Sequence, residues 1–208
     1  MARYSSTYLS SCYVTAALIT LLTFGFSGFH GITTCSAARI HVQKKVGTNF
    51  IATKCGTTSY PRLCVDTLSA HASTIQDNPS QLAQTAISVC LASARSTSAV
   101  LSRLSTTGGM SARDAGAVSD CKTTMGDSAD KLQKSLGSMG SLGGKKGVAL
   151  RINDIQTWMS TALTDVTMCR EGLAGSSMDG GVTSSIMNAE RLTSIALALV
   201  NGLGSSSP

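Results

Sequence analysis

Four cysteines stand in mirror-symmetric pairs about turn signals, and this symmetry constrains the fold of the 208-residue chain more than any other feature. Cys55 and Cys64 flank Ser59-Tyr60-Pro61. Cys121 and Cys169 flank Gly143-Gly144-Lys145-Lys146-Gly147, with their midpoint at residue 145. Residues equidistant from the loop of a helical hairpin lie at the same height on its two antiparallel helices. A Cys121–Cys169 bond would therefore clamp two long helices, and a Cys55–Cys64 bond would close a short hairpin ahead of them. Such bonds belong to an oxidising compartment.

The N-terminus supplies that compartment. Arg3 is the single charged residue before Arg39, and Cys12 to Phe29 is a run of apolar and small residues. Ser36-Ala37-Ala38 offers a cleavage site, so residues 1–38 read as a cleaved secretory signal peptide. A signal anchor is the competing reading, because about eighteen apolar residues just span a bilayer. The small-residue flank and the lack of a second apolar span favour cleavage, which leaves a secreted, extracellular chain with no membrane segment. Cys12 and Cys35 leave with the leader, and five cysteines remain. From Arg39 onward the chain carries 16 basic and 11 acidic residues, a balance that suits acidic partners without naming one. The one basic run, residues 39–46, reads as a solvated tail. With Trp158 the sole tryptophan, stacking aromatics are missing, and nucleic-acid binding is not expected.

Helical periodicity dominates the rest. One stripe runs Leu82, Ala86, Cys90, Ser93, Thr97, Leu101, Leu104, after the start signal Asn78-Pro79-Ser80. A second runs Val118, Cys121, Met125, Ala129, Leu132, Leu136, Met139. The third, Val148, Ile152, Ile155, Met159, Ala162, Val166, Cys169, Leu173, alternates spacings of four and three throughout. The last runs Val182, Ile186, Ala189, Leu192, Ala196, Leu199, Leu203. Each set occupies one helical face. Glycine-rich segments separate them, and no stretch alternates as a strand would. The fold class is all-α: an up-down-up-down four-helix bundle over residues 77–208. Residues 39–76 form the basic tail and a short, disulfide-closed N-terminal helical hairpin, two helices meeting at Pro61. The hairpin is too short to bury a core alone, so it joins the bundle in one domain. Cys90 lies on its core stripe with no cysteine level with it, and is expected to be a buried free thiol.

These residues carry a family resemblance. Phe50-Ile51 followed by Cys55, Thr57, Tyr60-Pro61, Cys64 and Leu68 resembles the opening signature of the plant invertase and pectin methylesterase inhibitor family. Ala117-Val118-Ser119-Asp120-Cys121 with Ala129-Asp130-Lys131-Leu132 resembles its third-cysteine helix. Asp154 to Asp165, then Cys169, Glu171 and Gly172, resembles its fourth-cysteine helix. The resemblance covers Asn49 to Leu203. It implies disulfides Cys55–Cys64 and Cys121–Cys169 and a secreted protein that blocks a cell-wall enzyme. Thr123 and Met125 stand where an acidic residue and an aromatic are common in the family, and Leu173 where Phe is.

Enzyme chemistry finds no footing. His41 and His71 are isolated, and the chain has no HExxH, GxSxG, CxxC or phosphate-binding loop. Asp127, Asp130, Asp154 and Asp165 read as solvated helix faces rather than a paired-carboxylate site. No cofactor and no metal are expected. The reading is a non-covalent inhibitor that caps the substrate cleft of pectin methylesterase, with weak contact to acidic pectin open to the basic tail. An inhibitor of cell-wall or vacuolar invertase is the alternative. The resemblance implies a Pro-Lys-Phe segment before the last helix for that target, and residues 174–181 here read AGSSMDGG. A secreted helical carrier of an apolar ligand is the third reading, disfavoured because narrow 4-3 stripes suit a closed core. The resemblance points to the second and third bundle helices, with the fourth as an optional contributor, as the face that meets the target. On them, Thr124, Asp127 and Lys131, and Thr157, Thr161 and Asp165, follow at helical spacing off the core stripes and would form a polar ridge.

Overall fold

The computed structural model describes residues 47–106, 108–142, 147–176 and 180–205. The leader, the basic run 39–46 and His41 lie outside them. Residues 47–55 form helix α1. After a turn come α2 (Pro61–Leu68), a 3-10 turn (Ser69–His71) and α3 (Ala72–Ile75). Four long helices follow: α4 (Pro79–Leu104), α5 (Ala112–Met139), α6 (Val148–Gly172) and α7 (Gly180–Gly204). The arm thus has one more piece than the two helices read from sequence. Its second limb continues through the 3-10 turn into α3.

Local chemistry sets the boundaries. Pro61 and Pro79 sit in the first turns of α2 and α4, where a missing N–H costs nothing. Asn78 caps α4, its side chain accepting from Ser80 N at 2.9 Å and Gln81 N at 3.1 Å. Ser111 caps α5 by accepting from Asp114 N at 3.1 Å. Just ahead of α4 the chain turns through Gln76 at φ 52°, the one non-glycine residue with positive φ among those described.

The long helices pack as a ring of antiparallel neighbours: α4 on α5, α5 on α6, α6 on α7 and α7 on α4. Of the third stripe, Ile152 through Leu173 are buried and Val148 is half-buried; the whole of the fourth is buried. The second stripe departs from expectation at two places. Ser128 and Ser135 are fully buried, whereas Ala129 and Leu136 are half-buried. The buried line on α5 is therefore Val118, Cys121, Met125, Ser128, Leu132, Ser135, Met139, an unbroken 3-4 alternation with two hydroxyls in it. Both are satisfied: Ser128 Oγ donates across to Ala162 O at 3.1 Å, and Ser135 Oγ donates to Lys131 O at 2.9 Å. A small residue whose hydroxyl finds a carbonyl can sit at a close helix contact without the cost of a buried unpaired group. On α4, Ala94 takes the buried position beside the half-buried Ser93.

Ile51, Cys55, Cys64, Leu68, Ala72 and Ile75 of the arm belong to the same buried cluster as the bundle core. Cys64 and Leu68 meet Ala86 of α4 and Leu192 and Ile195 of α7 around an apolar void of about 10 Å³. Such a void holds one water at most and no apolar cargo. Gly47 lies so close to the Ala72 carbonyl that any Cβ would collide with it, which seats the start of α1 against α3.

Candidate functional site

Helices α5 and α6 are held together at two levels. Cys121 and Cys169 are bonded, with Cα atoms 4.2 Å apart. Seven residues along, Ser128 meets Ala162. Both pairs are symmetric about residue 145, so the two helices keep one register over this stretch. The bond lies far from the 140–147 connection, and the pair is closed at both ends. Cys55 and Cys64 form the second bond, with Cα atoms 5.6 Å apart. Cys90 is unpaired, buried, and within reach of the Thr193 hydroxyl.

Two of the expected surface residues come together with a third across the α5–α6 seam. Asp165 of α6 lies within electrostatic reach of Asp127 and Lys131 of α5. Its Oδ2 is buried and has no hydrogen-bond partner among the described residues. Burial pushes the Asp165 carboxyl above the usual carboxylate range; Lys131 opposes the shift and the Asp127 carboxylate adds to it. Asp127 is exposed, in keeping with a solvated helix face, whereas Asp165 is half-buried and departs from that reading. Reflection through residue 145 sends Asp165 to residue 125, between Thr124 and Asp127. The symmetry that pairs the cysteines was therefore also the signal for this pair.

The threonines behave differently from the expected hydroxyl ridge. Thr124 donates to Cys121 O at 3.2 Å, Thr157 to Asn153 O at 2.9 Å, and Thr161 to Thr157 O at 2.9 Å. Their protons are taken by their own helix. Thr157 is exposed, whereas Thr124, Thr161 and Lys131 are half-buried. Beyond Thr124 the seam opens into a groove of about 460 Å³ that reaches the Cys121–Cys169 bond, rimmed by Arg113, Asp120 and Met168.

Sequence reasoning missed the lock between α6 and α7. Glu190 accepts from Arg170 Nε at 2.8 Å and from the Thr167 hydroxyl at 3.0 Å. Arg170 also reaches Glu171 at 3.3 Å. These side chains lie on helix flanks that the apolar stripes leave unassigned. Among the described residues no three His, Cys, Asp or Glu side chains cluster as metal ligands, and His71 is exposed. No helix among them is long and apolar enough to cross a membrane.

A model of the plant invertase/pectin methylesterase inhibitor family matches residues 49–199. The chain belongs to that family. Similar proteins include a 21 kDa protein of Daucus carota, 41% identical over 158 residues that cover 73% of this chain and 82% of that one. Pectinesterase inhibitor 11 of Arabidopsis thaliana is 38% identical over 173 residues, covering 80% and 86% respectively. In fold, the chain is similar to the crystal structure of a mutant form of an Arabidopsis pectin methylesterase inhibitor. The TM-score is 0.62 at 22% identity, over 73% of this chain and 95% of that one. Within this member of the invertase/pectin methylesterase inhibitor family, two of the departures noted above are core positions: Met125 is fully buried and Leu173 nearly so. Thr123 is exposed, its hydroxyl donating to Ser119 O at 3.1 Å.

Proposed function

We propose that the protein is a secreted inhibitor of pectin methylesterase that acts by lying across the esterase's substrate cleft in a non-covalent complex. Family membership, with relatives named pectinesterase inhibitors, supports the target. The observation that carries the binding face is the Asp165–Asp127–Lys131 grouping on two helices clamped by a disulfide. Helices of 28 and 25 residues are about 40 Å long at 1.5 Å per residue. Side by side, they offer a face of about 800 Å², the contribution of one partner to a standard stable interface. Because the bond fixes their relative rotation before any encounter, little ordering remains to be done on binding. Inhibition then needs no chemistry of its own, only exclusion of pectin.

The test replaces Asp127 and Asp165 together by Asn and measures both inhibition and thermal stability. Loss of tenfold or more in potency against a sensitive pectin methylesterase, with an undiminished melting temperature, supports the face. Wild-type potency in the double variant means that another face binds. Inhibition of sucrose hydrolysis by an acid invertase, with none of pectin demethylation, would transfer the protein to the other branch of its family.

A further inference from the structure

Among the described residues three large apolar side chains are exposed, and two of them, Leu150 at 67% and Met168 at 55%, lie on α6. Scattered exposed apolar residues need no explanation. These two are 18 residues apart, five turns of a helix, and therefore stand on one line parallel to its axis. Between them the same line carries Thr157, Thr161 and Thr164. Each threonine hydroxyl donates to the carbonyl four residues back, at 2.9, 2.9 and 3.1 Å. With the hydroxyl protons turned into the backbone, the ridge has no side-chain donor left at these positions and offers γ-methyl groups beside oxygens that can only accept. The outer line of α6 is consequently a row of methyl groups between two larger apolar side chains, about 27 Å long. Exposed Asp154 and half-buried Asp165, whose Oδ2 is covered on the α5 side, occupy helical positions beside it.

Resting on the inhibitor reading above, we infer that this ridge occupies the esterase's cleft as a chemical stand-in for its substrate, its threonine methyls taking the places of methyl esters. Pectin that has been partly demethylated is a linear polymer bearing methyl esters and free carboxylates. A cleft that processes it must receive apolar methyl groups in series and tolerate carboxylates between them. The α6 ridge presents the same two groups, methyls at neighbouring helical positions and carboxylates at its flank. Met168 also borders the groove that reaches the Cys121–Cys169 bond, so the ridge is continuous with the α5–α6 face.

Two triple variants separate methyl from hydroxyl. Thr157→Ser, Thr161→Ser and Thr164→Ser together remove three methyls and keep three hydroxyls; the corresponding Val variant does the reverse. Each methyl corresponds to about a fourfold change, from roughly 0.8 kcal/mol of apolar burial. The Ser variant should therefore inhibit about fifty-fold more weakly than wild type and the Val variant at least as strongly as wild type, with both folded by circular dichroism and thermal melting. Equal potency of the Ser variant and wild type overturns the inference, as does a loss confined to the Val variant, which would show that the hydroxyls make the contact. Failure of the wild type to inhibit any pectin methylesterase would remove the functional reading itself, a distinct result visible before either variant is made.

Discussion

Cys90 offers a quantitative test of how tightly the bundle is closed. Its thiol is 1% exposed, and burial pushes its pKa from 9.0 up to about 12, a shift the nearby Thr193 hydroxyl opposes. The thiolate is the nucleophile. At pH 8 a thiol of pKa 9.0 is ionised in about one molecule in ten, and one of pKa about 12 in one in ten thousand. Ionisation alone should therefore slow attack on an aromatic disulfide reagent by about a thousandfold, before steric exclusion is counted. The assay compares labelling of native protein with labelling in guanidinium, disulfides intact, at pH 8. The linkage sign gives a second readout. The folded state holds this proton more tightly than the unfolded state, so stability is lost as pH rises from 9 through 12. Over three pK units the loss is about 4 kcal/mol, and a Cys90→Ala variant lacks that component of the alkaline slope. Labelling of native protein within tenfold of the unfolded rate would refute the reasoning. So would a disulfide-linked dimer on a non-reducing gel.

The two bonds differ in the loops they close, with sequence separations of 9 and 48, so removing Cys55–Cys64 should cost about 2.7 kcal/mol and removing Cys121–Cys169 about 4 on the chain-entropy model, read from denaturant midpoints. Peptide mapping without reduction checks the pairing, and a Cys55–Cys121 peptide would overturn the fold argument. Because the folded Asp165 carboxyl titrates above its unfolded range, its contribution is most favourable at acid pH and is lost as pH rises through the folded pKa. Asp165→Asn should accordingly gain stability relative to wild type between pH 3 and pH 7 in urea titrations, and a gap that shrinks with pH would contradict the assignment. Asn78→Ala removes two accepted hydrogen bonds at the start of α4 and should cost about 1 kcal/mol, a fall of a few degrees in melting temperature.

Much of this fold was legible because apolar period and loop signals agree. On α6, every stripe residue from Ile152 to Leu173 is buried. Legibility fails where a polar residue takes an apolar role. Ser128 and Ser135 are buried because Ala162 O and Lys131 O accept their protons, a fact that depends on a neighbouring helix in one case and a rotamer in the other. Hydrophobicity alone put Ala129 and Leu136 there instead. The arm's third piece escaped because Ser69–His71 carries no strong breaker and none of its residues is buried; the buried residues are its neighbours Leu68 and Ala72. At the candidate face, reflection through residue 145 brings Asp127 and Asp165 level, but the partial burial of Asp165 was not visible, because helix rotation is a tertiary quantity. The threonines were visible as donors, and their hydrogen bonds spend that capacity internally.

Helices α5 and α6 are joined by two independent covalent routes, the main chain through residues 140–147 and the Cys121–Cys169 bond. A peptide bond cut anywhere between those cysteines opens a ring without dividing the molecule. Lys145-Lys146 places a tryptic cleavage site midway along that ring. A protein nicked there remains one covalent body, with the two helices still held at the disulfide and the buried 3-4 seam still in place. Proteolysis at this connection and loss of the α5–α6 face are thereby uncoupled: the cut separates the halves only once the disulfide is also reduced.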